Sequence, residues 1–265
     1  MLKPSQSNRL PHALSHWRDI KKRLADLAPV FFLDYDGTLS PIAPRPEFAV
    51  LQPNMRQVLT QLAQKHPVAI ISGRDRLDVA ELVAIDELAY AGSHGFDIAL
   101  PSGCHLEHPE GLACLPHLAT ARQRLENELN KIPGLLIENK RFAVAVHFRR
   151  VPEIYHQQVA ECVERICRET AGLRRTGGKK VFELRPNVEW DKGRALEWLW
   201  TEWGYADSSH IGIFIGDDLT DEDAFRALDG RGLSFLVADE PRPTWADYSL
   251  NGTEEVGRFL KMFFE

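Results

Sequence analysis

Short apolar runs, each ending on polar residues, recur along this chain and constrain its fold more than any other feature. Val30-Phe31-Phe32-Leu33 ends on Asp34, and Pro67-Val68-Ala69-Ile70-Ile71 ends on Ser72-Gly73-Arg74. Residues 88–91 end on Gly92-Ser93-His94-Gly95, and Ile211-Gly212-Ile213-Phe214-Ile215 ends on Gly216-Asp217-Asp218. Runs this short and this continuous read as strands buried on both faces. Helical stretches are expected at 13–27, 53–65, 77–83 and 192–203, with Pro53 well placed in a first turn. A loop rich in proline (Pro41, Pro44, Pro46) follows the first strand, and a strand at 234–237 and a helix at 254–264 close the chain. Strands alternating with helices imply a parallel sheet covered on both faces. Ligands of such sheets bind beyond the carboxyl ends of the strands, where these polar residues lie.

After about residue 101 the pattern changes. A helix is expected at 112–130, then the run Leu135-Leu136-Ile137-Glu138, then strict alternation over 141–149. Phe142, Val144, Val146 and Phe148 share one side of that run, and Ala143, Ala145, His147 and Arg149 share the other. A helix at 153–170 leads to a hairpin around Gly177-Gly178, whose second strand sets Phe182 and Leu184 against Glu183 and Arg185. This reads as an antiparallel sheet with two helices over its apolar face. His147, Arg149, Glu183 and Arg185 are expected on the other face, which either meets solvent or lies over a polar ligand. The fold class is therefore α/β: a Rossmann-like core, residues 1–103 and 187–265, interrupted by an inserted α+β domain, 104–186.

Composition narrows the partners. The chain has 265 residues and a net charge of −6, with no basic run of the kind a nucleic-acid surface needs. Residues 1–16 lack the apolar core of a signal peptide, and no apolar run approaches the roughly 18 residues of a membrane span. The four cysteines have no metal-binding spacing. A soluble, cytoplasmic, monomeric protein acting on a small molecule is expected, with no nucleic-acid or membrane partner.

Asp34 and Asp36 point to one side of an extended chain and repel each other unless a cation or a shared proton relieves them. A metal site and an acid/base site are both open on that ground. With Ser72, Lys192 and the Asp217-Asp218 pair at other strand ends, the set fits phosphoryl transfer through an aspartyl phosphate, with Mg²⁺ as the suited ion. Some of these residues have plainer readings. Ser72 reads equally well as a helix cap, Asp221, Glu222 and Asp223 suit a helix N-terminus, and Thr220 with Asp223 resembles a capping box. Lys192 is different, because a cation in a first helical turn opposes the helix dipole.

Asp34-Tyr35-Asp36-Gly37-Thr38, Ser72, Lys192 and Gly216-Asp217-Asp218-x-x-Asp221 match, in order, the four motifs of the haloacid dehalogenase superfamily, which the chain resembles on both sides of the insertion. The resemblance implies that the insertion is a C2-type cap. It further implies Asp34 as nucleophile, Asp36 as general acid and then base, and Ser72 and Lys192 as holders of the phosphate. Mg²⁺ would be bound by Asp34, the backbone carbonyl of Asp36, and Asp217, with Asp218 and Asp221 supporting its shell. A closer resemblance, to the trehalose-6-phosphate phosphatase family, is carried by Ser72-Gly73-Arg74, Gly92-Ser93-His94-Gly95, Glu138-x-Lys140, His147-x-Arg149 and Glu183-x-Arg185-Pro186. The first motif, continuing into Leu39-Ser40-Pro41-Ile42, adds to it. This implies hydrolysis of trehalose 6-phosphate in trehalose biosynthesis, with Arg74, His94, Gly95, Glu138, Lys140, His147, Arg149, Glu183 and Arg185 toward the substrate. Phosphatases of sucrose phosphate or mannosyl phosphoglycerate, and a phosphohexomutase, are the alternatives.

Overall fold

The computed structural model describes residues 10–43, 48–178, 180–205 and 209–265. Pro44 and Pro46 of the proline-rich loop and residues 1–9 of the amino-terminal segment lie outside the described residues. The chain forms two compact units, Met1–His105 with Trp190–Glu265, and Leu106–Glu189.

In the first unit the chain runs through α1 (Trp17–Leu24), β1 (Ala28–Leu33), α2 (Pro53–Ala63), β2 (Val68–Ile71), α3 (Arg76–Val83), β3 (Ala89–Gly92) and β4 (Asp97–Ala99) to β5 (His105–Glu107), where it leaves. The second unit contains α4 (Pro109–Ala113), α5 (Leu115–Leu129), β6 (Leu136–Lys140), β7 (Ala143–His147), α6 (His156–Glu169), β8 (Leu173–Gly178) and β9 (Val181–Pro186). The first then resumes with α7 (Lys192–Glu202), β10 (His210–Gly216), α8 (Glu222–Ala227), β11 (Gly232–Val237), β12 (Tyr248–Leu250) and α9 (Gly252–Lys261).

The larger sheet has the order β12-β11-β10-β1-β2-β3-β4-β5. β1 pairs in parallel with both β10 and β2, while β4 runs antiparallel to β3. Phe31 and Leu33 enter a core shared with Ile213, Ile215, Leu59 and Phe259. Phe32 alternates to the opposite face, against Trp200 and Trp203. An apolar run without polar interruption is what a strand covered on both sides requires. From β1 the strand order advances one way through β2 and β3, and the other way through β10 and β11. The crevice beyond β1 and β10 is thus the switch point at which open α/β sheets hold ligands.

The second unit is a sheet of order β6-β7-β9-β8. Val144, Val146 and Leu184 pack on its apolar side with Leu125 of α5 and Val163 of α6. Two expectations need correction. The helix read as 112–130 is two helices that meet at Cys114, with Pro116 in the first turn of the second. The strand read through 149 stops at His147, since the amide of Val151 turns back to the carbonyl of Phe148 just before Pro152. The three-residue strands β4, β5 and β12 are too short for periodicity to mark. Among the described residues, no helix is long and apolar enough to cross a membrane.

Candidate active site

The chain leaves β1 at Asp34, whose amide donates to the carbonyl of Ile215 at 2.9 Å and so holds the end of β1 against β10. Tyr35 turns the other way and buries its ring, its hydroxyl donating to Ala49 O at 2.7 Å. The loop then folds back, with the amide of Gly37 on Ser40 O and those of Leu39 and Ser40 on Tyr35 O. Gly37 has φ +86°, and a Cβ there would lie 2.2 Å from Oδ2 of Asp217. Only glycine meets both the turn and the close approach of that carboxylate.

Lys192, in the first turn of α7, is buried, and its Nζ donates to Oδ1 of Asp34 and Oδ1 of Asp221, each at 2.6 Å. Burial works against its charge, but Asp221 and Asp34 outweigh that and hold the ammonium above its usual range. The neighbouring Asp191 caps the helix, accepting from Arg194 N. The carboxylate oxygens of Asp34, Asp217 and Asp221 lie within 4.8 Å of one another. Burial lifts Asp34 above the ordinary carboxylate range, Lys192 pulls against it, and Asp221 and Asp217 add to the lift. Asp217 is pushed up to about 7, first by burial and then by Asp221.

One lysine does not neutralise three carboxylates. Asp221 has both oxygens committed, Oδ1 to Lys192 and Oδ2 to the amides of Asp217 and Asp218 at 3.0 and 2.9 Å. Asp217 Oδ1, by contrast, is buried with no hydrogen-bond partner among the described residues. An oxygen-only acidic cluster with an orphaned buried oxygen fits a small hard divalent cation. Asp218 is exposed, and its side chain caps the turn Leu219–Asp221 reciprocally with Asp221. The capping box at this helix start is therefore Asp218 with Asp221, not Thr220 with Asp223, because a turn of 3-10 helix precedes α8.

Asp36 has a different cation. Arg74, buried after β2, grips it with two parallel bonds, Nε to Oδ2 at 2.7 Å and Nη2 to Oδ1 at 2.8 Å. Its Nη1 reaches Asp78 at 2.9 Å, and its guanidinium lies 5.5 Å from the Tyr35 ring centroid. Ser72 is not the cap of α3, a position that Asp75 takes. Its buried Oγ accepts from Arg74 N at 3.2 Å, and its carbonyl accepts from the amide of His94. Ser93, His94 and Gly95 all have positive φ, at 50°, 58° and 95°. Such a run persists only where its surroundings fix it. Here the His94 ring covers Gly73, and a Cβ on Gly95 would lie 2.3 Å from Cβ of Ala195 on α7. Gly95 thus serves close packing against α7.

In the second unit, Glu138 sits opposite Ala145, and Ala145 opposite Glu183, on one face of the sheet. The small Ala143 and Ala145 of β7 leave room for side chains to meet above them. Lys140 Nζ on β6 reaches Glu183 Oε1 on β9 at 2.9 Å, and His147 Nε2 meets Glu138 Oε2 at 2.7 Å. The His147 hydrogen bond holds the Glu138 carboxyl below the usual range. Asn139 alternates to the other side, opposite Val144. Arg185 lies opposite Arg174 of β8, so this face gathers two guanidinium groups as well. Arg149 is not on it, but in an exposed turn beyond β7.

Sequence reasoning missed Asp78, Arg174 and the hydroxyl of Thr38, which is buried without a partner among the described residues. The four-residue step from Arg74 to Asp78 was the available signal for Asp78.

The sequence model of the trehalose-phosphatase family matches residues 32–254. A probable trehalose-phosphate phosphatase 4 of Oryza sativa subsp. japonica is 40% identical over 264 residues, covering 96% of this chain and 71% of that protein. A protein of Mycobacterium tuberculosis described as an uncharacterised glycosyl hydrolase is 44% identical over 231 residues, which cover 86% of this chain but 17% of that protein. This chain thus spans only a small part of the latter. The crystal structure of a trehalose-6-phosphate phosphatase related protein superposes with a TM-score of 0.78 at 26% identity, over 88% of this chain and 96% of that one. With a match across both units and the α/β architecture shared with a solved relative, the chain belongs to the trehalose-phosphatase family.

Proposed function

We propose that this chain hydrolyses trehalose 6-phosphate to trehalose and phosphate, through an aspartyl phosphate on Asp34. The observation that carries the reading is the buried Asp34 carboxylate at the switch point, held by Lys192 inside an acidic cluster. The family to which the chain belongs, and the names of its rice relative and its solved relative, support the substrate.

In this reading an Asp34 oxygen attacks phosphorus as the bond from phosphorus to the sugar oxygen breaks, and Asp36 gives that oxygen its proton. Water then attacks the same phosphorus with Asp36 taking its proton, and the bond to Asp34 breaks. Arg74 orients Asp36 as a carboxylate, which suits the base step. Release of the guanidinium toward a phosphate would free Asp36 to carry the proton of the first step. Lys192 pulls against the burial that favours the protonated form of Asp34 and aims its carboxyl group, and with Ser72 it holds the phosphate. Asp34, the backbone carbonyl of Asp36, and Asp217 would hold Mg²⁺, which would supply charge that offsets repulsion between Asp34 and a phosphate dianion. Asp221 and Asp218 build the turn that carries Asp217.

The unit Leu106–Glu189 acts as a C2-type specificity cap, against bounds of 104–186 read from the sequence. Glu138, Lys140 and Glu183 on its polar face provide mixed donors and acceptors for sugar hydroxyls, with His147 and Arg185 beside them. Arg149 is left out of this set. The test is phosphate release from trehalose 6-phosphate, sucrose phosphate and hexose phosphates, with Mg²⁺ and with chelator. Release chiefly from trehalose 6-phosphate, and only with metal, is expected; none from that substrate overturns the assignment.

A further inference from the structure

The loop after β11 reaches the Asp217-Asp218 turn through one side chain. Arg242 Nη2 donates to the backbone carbonyls of Asp218 and Asp217, at 3.1 and 3.3 Å. Its Nη1 donates to Oε1 of Glu222 at 2.7 Å. Glu222 is buried in the first turn of α8, and its other oxygen accepts the amide of Trp245 at 2.8 Å. The guanidinium of Arg226, also on α8, lies 5.7 Å from the Trp245 ring centroid. Pro241 and Pro243 flank Arg242 and restrict its backbone on both sides.

The turn is therefore held by both kinds of peptide group. The amides of Asp217 and Asp218 are bound by Asp221 Oδ2, and their carbonyls by Arg242. The side chain riding on this turn is Asp217, whose Oδ1 is the orphaned buried oxygen of the acidic cluster. A planar guanidinium can bond two carbonyls and a carboxylate at once, a geometry that a lysine ammonium reproduces poorly. Glu222 aims the fork and balances its charge. As an acid at a helix start Glu222 would need no partner, yet both its oxygens are used.

We propose that Arg242, anchored by Glu222, is a positioning residue for the divalent-cation site, fixing where the Asp217 carboxylate stands. It touches neither the cation nor the reacting atoms. The inference rests on the metal reading given above, and is independent of which sugar phosphate is hydrolysed.

The test is direct Mg²⁺ binding to the full chain by calorimetry, with the rise of melting temperature on adding Mg²⁺, in wild type, Arg242→Met, Arg242→Lys and Glu222→Gln. The Mg²⁺ concentration for half-maximal phosphatase activity is measured alongside. Arg242→Met should weaken Mg²⁺ binding about 10–100-fold, as loss of an outer-shell support does. Turnover should recover as Mg²⁺ is raised, with the substrate KM little changed, and Arg242→Lys should lose less than Arg242→Met. Wild-type Mg²⁺ affinity in a cooperatively folded Arg242→Met overturns the proposal. If that variant does not fold, unchanged affinity in both Arg242→Lys and Glu222→Gln overturns it. A wild-type chain that binds no Mg²⁺ removes the metal reading and this inference together. A chain that binds Mg²⁺ with the expected shifts, yet releases nothing from trehalose 6-phosphate, upholds the inference and overturns only the substrate.

Discussion

The cluster at the ends of β1 and β10 and the cluster on β6, β7 and β9 use the same pieces, a lysine between carboxylates, at very different depths. Lys192 and Asp221 expose 3% and 0% of their side chains, whereas Lys140 and Glu183 expose 19% and 14%, and His147 and Glu138 about twice that, 31% and 30%. Charges out of reach of water cannot exchange partners cheaply, so the first cluster is a fixed geometry. The second stays within reach of solvent, so its bonds can be replaced by those of a sugar hydroxyl. Fixed geometry suits bond-making at one atom, and exchangeable geometry suits recognition.

The largest break in that contrast would come from Asp34, the proposed nucleophile. Asp34→Asn should lower turnover of trehalose 6-phosphate by about four orders of magnitude or more while the protein stays folded, as for loss of other catalytic nucleophiles. Steady-state assays beside circular dichroism check it, and substantial turnover by the folded variant removes the assigned role. Next is the cation that holds Asp34. Lys192→Met leaves Asp34 and Asp221 buried without their partner, and should lower the unfolding free energy by about 3–5 kcal/mol. Lys140→Met, in the shallower cluster, should cost about 1 kcal/mol or less. Urea melts compare the two, and equal losses would erase the distinction between the clusters. Added Mg²⁺ should restore part of the Lys192→Met loss, because a divalent cation offsets the same carboxylates.

The deep cluster was legible because its groups follow strand ends, and buried strands announce themselves as unbroken apolar runs. What escaped lies where no period operates. Arg242 stands in a proline-flanked loop, and its targets are backbone carbonyls that carry no side-chain signature. The capping box falls on Asp218 and Asp221 instead of Thr220 and Asp223 because a single turn of 3-10 helix, Leu219–Asp221, precedes α8 and moves the start back by two residues. Arg149 was misplaced for a related reason. The alternation runs on past His147 in sequence, but the turn from Phe148 to Val151 ends the strand first. In the sheet that remains, the alternation places Ala143 and Ala145 of β7 on the polar side but gives them no role. They are what allows Lys140 and Glu183, two strands apart, to touch.

That contact leads to the specificity test. Glu183→Gln keeps the shape but removes the charge that Lys140 meets, and it changes an acceptor pair into one acceptor and one donor group. If this face recognises sugar hydroxyls, kcat/KM for trehalose 6-phosphate should fall about 10²-fold, the scale expected when a hydrogen-bonding site is mismatched. Turnover of a small aryl phosphate, which has no sugar to recognise, should stay unchanged. Parallel losses on both substrates would instead assign Glu183 to the general integrity of the unit.

The smallest effect is one of pH, and its sign follows from Glu138. The His147 hydrogen bond, opposed by burial and helped by Lys140, holds this carboxyl below its ordinary value. A carboxyl depressed in the folded state stabilises the fold above its unfolded pKa, about 4.3 for glutamate, and that contribution drains away as pH falls through the lower folded value. Because the pair is part-exposed, water screens it, and the contribution should be about 1 kcal/mol or less. Melting curves of wild type and Glu138→Gln should therefore differ by a degree or two near pH 6 and converge below about pH 4, small shifts for so small an energy. A difference that persists unchanged at the acid end would mean that the glutamate acts there through packing and hydrogen bonding alone.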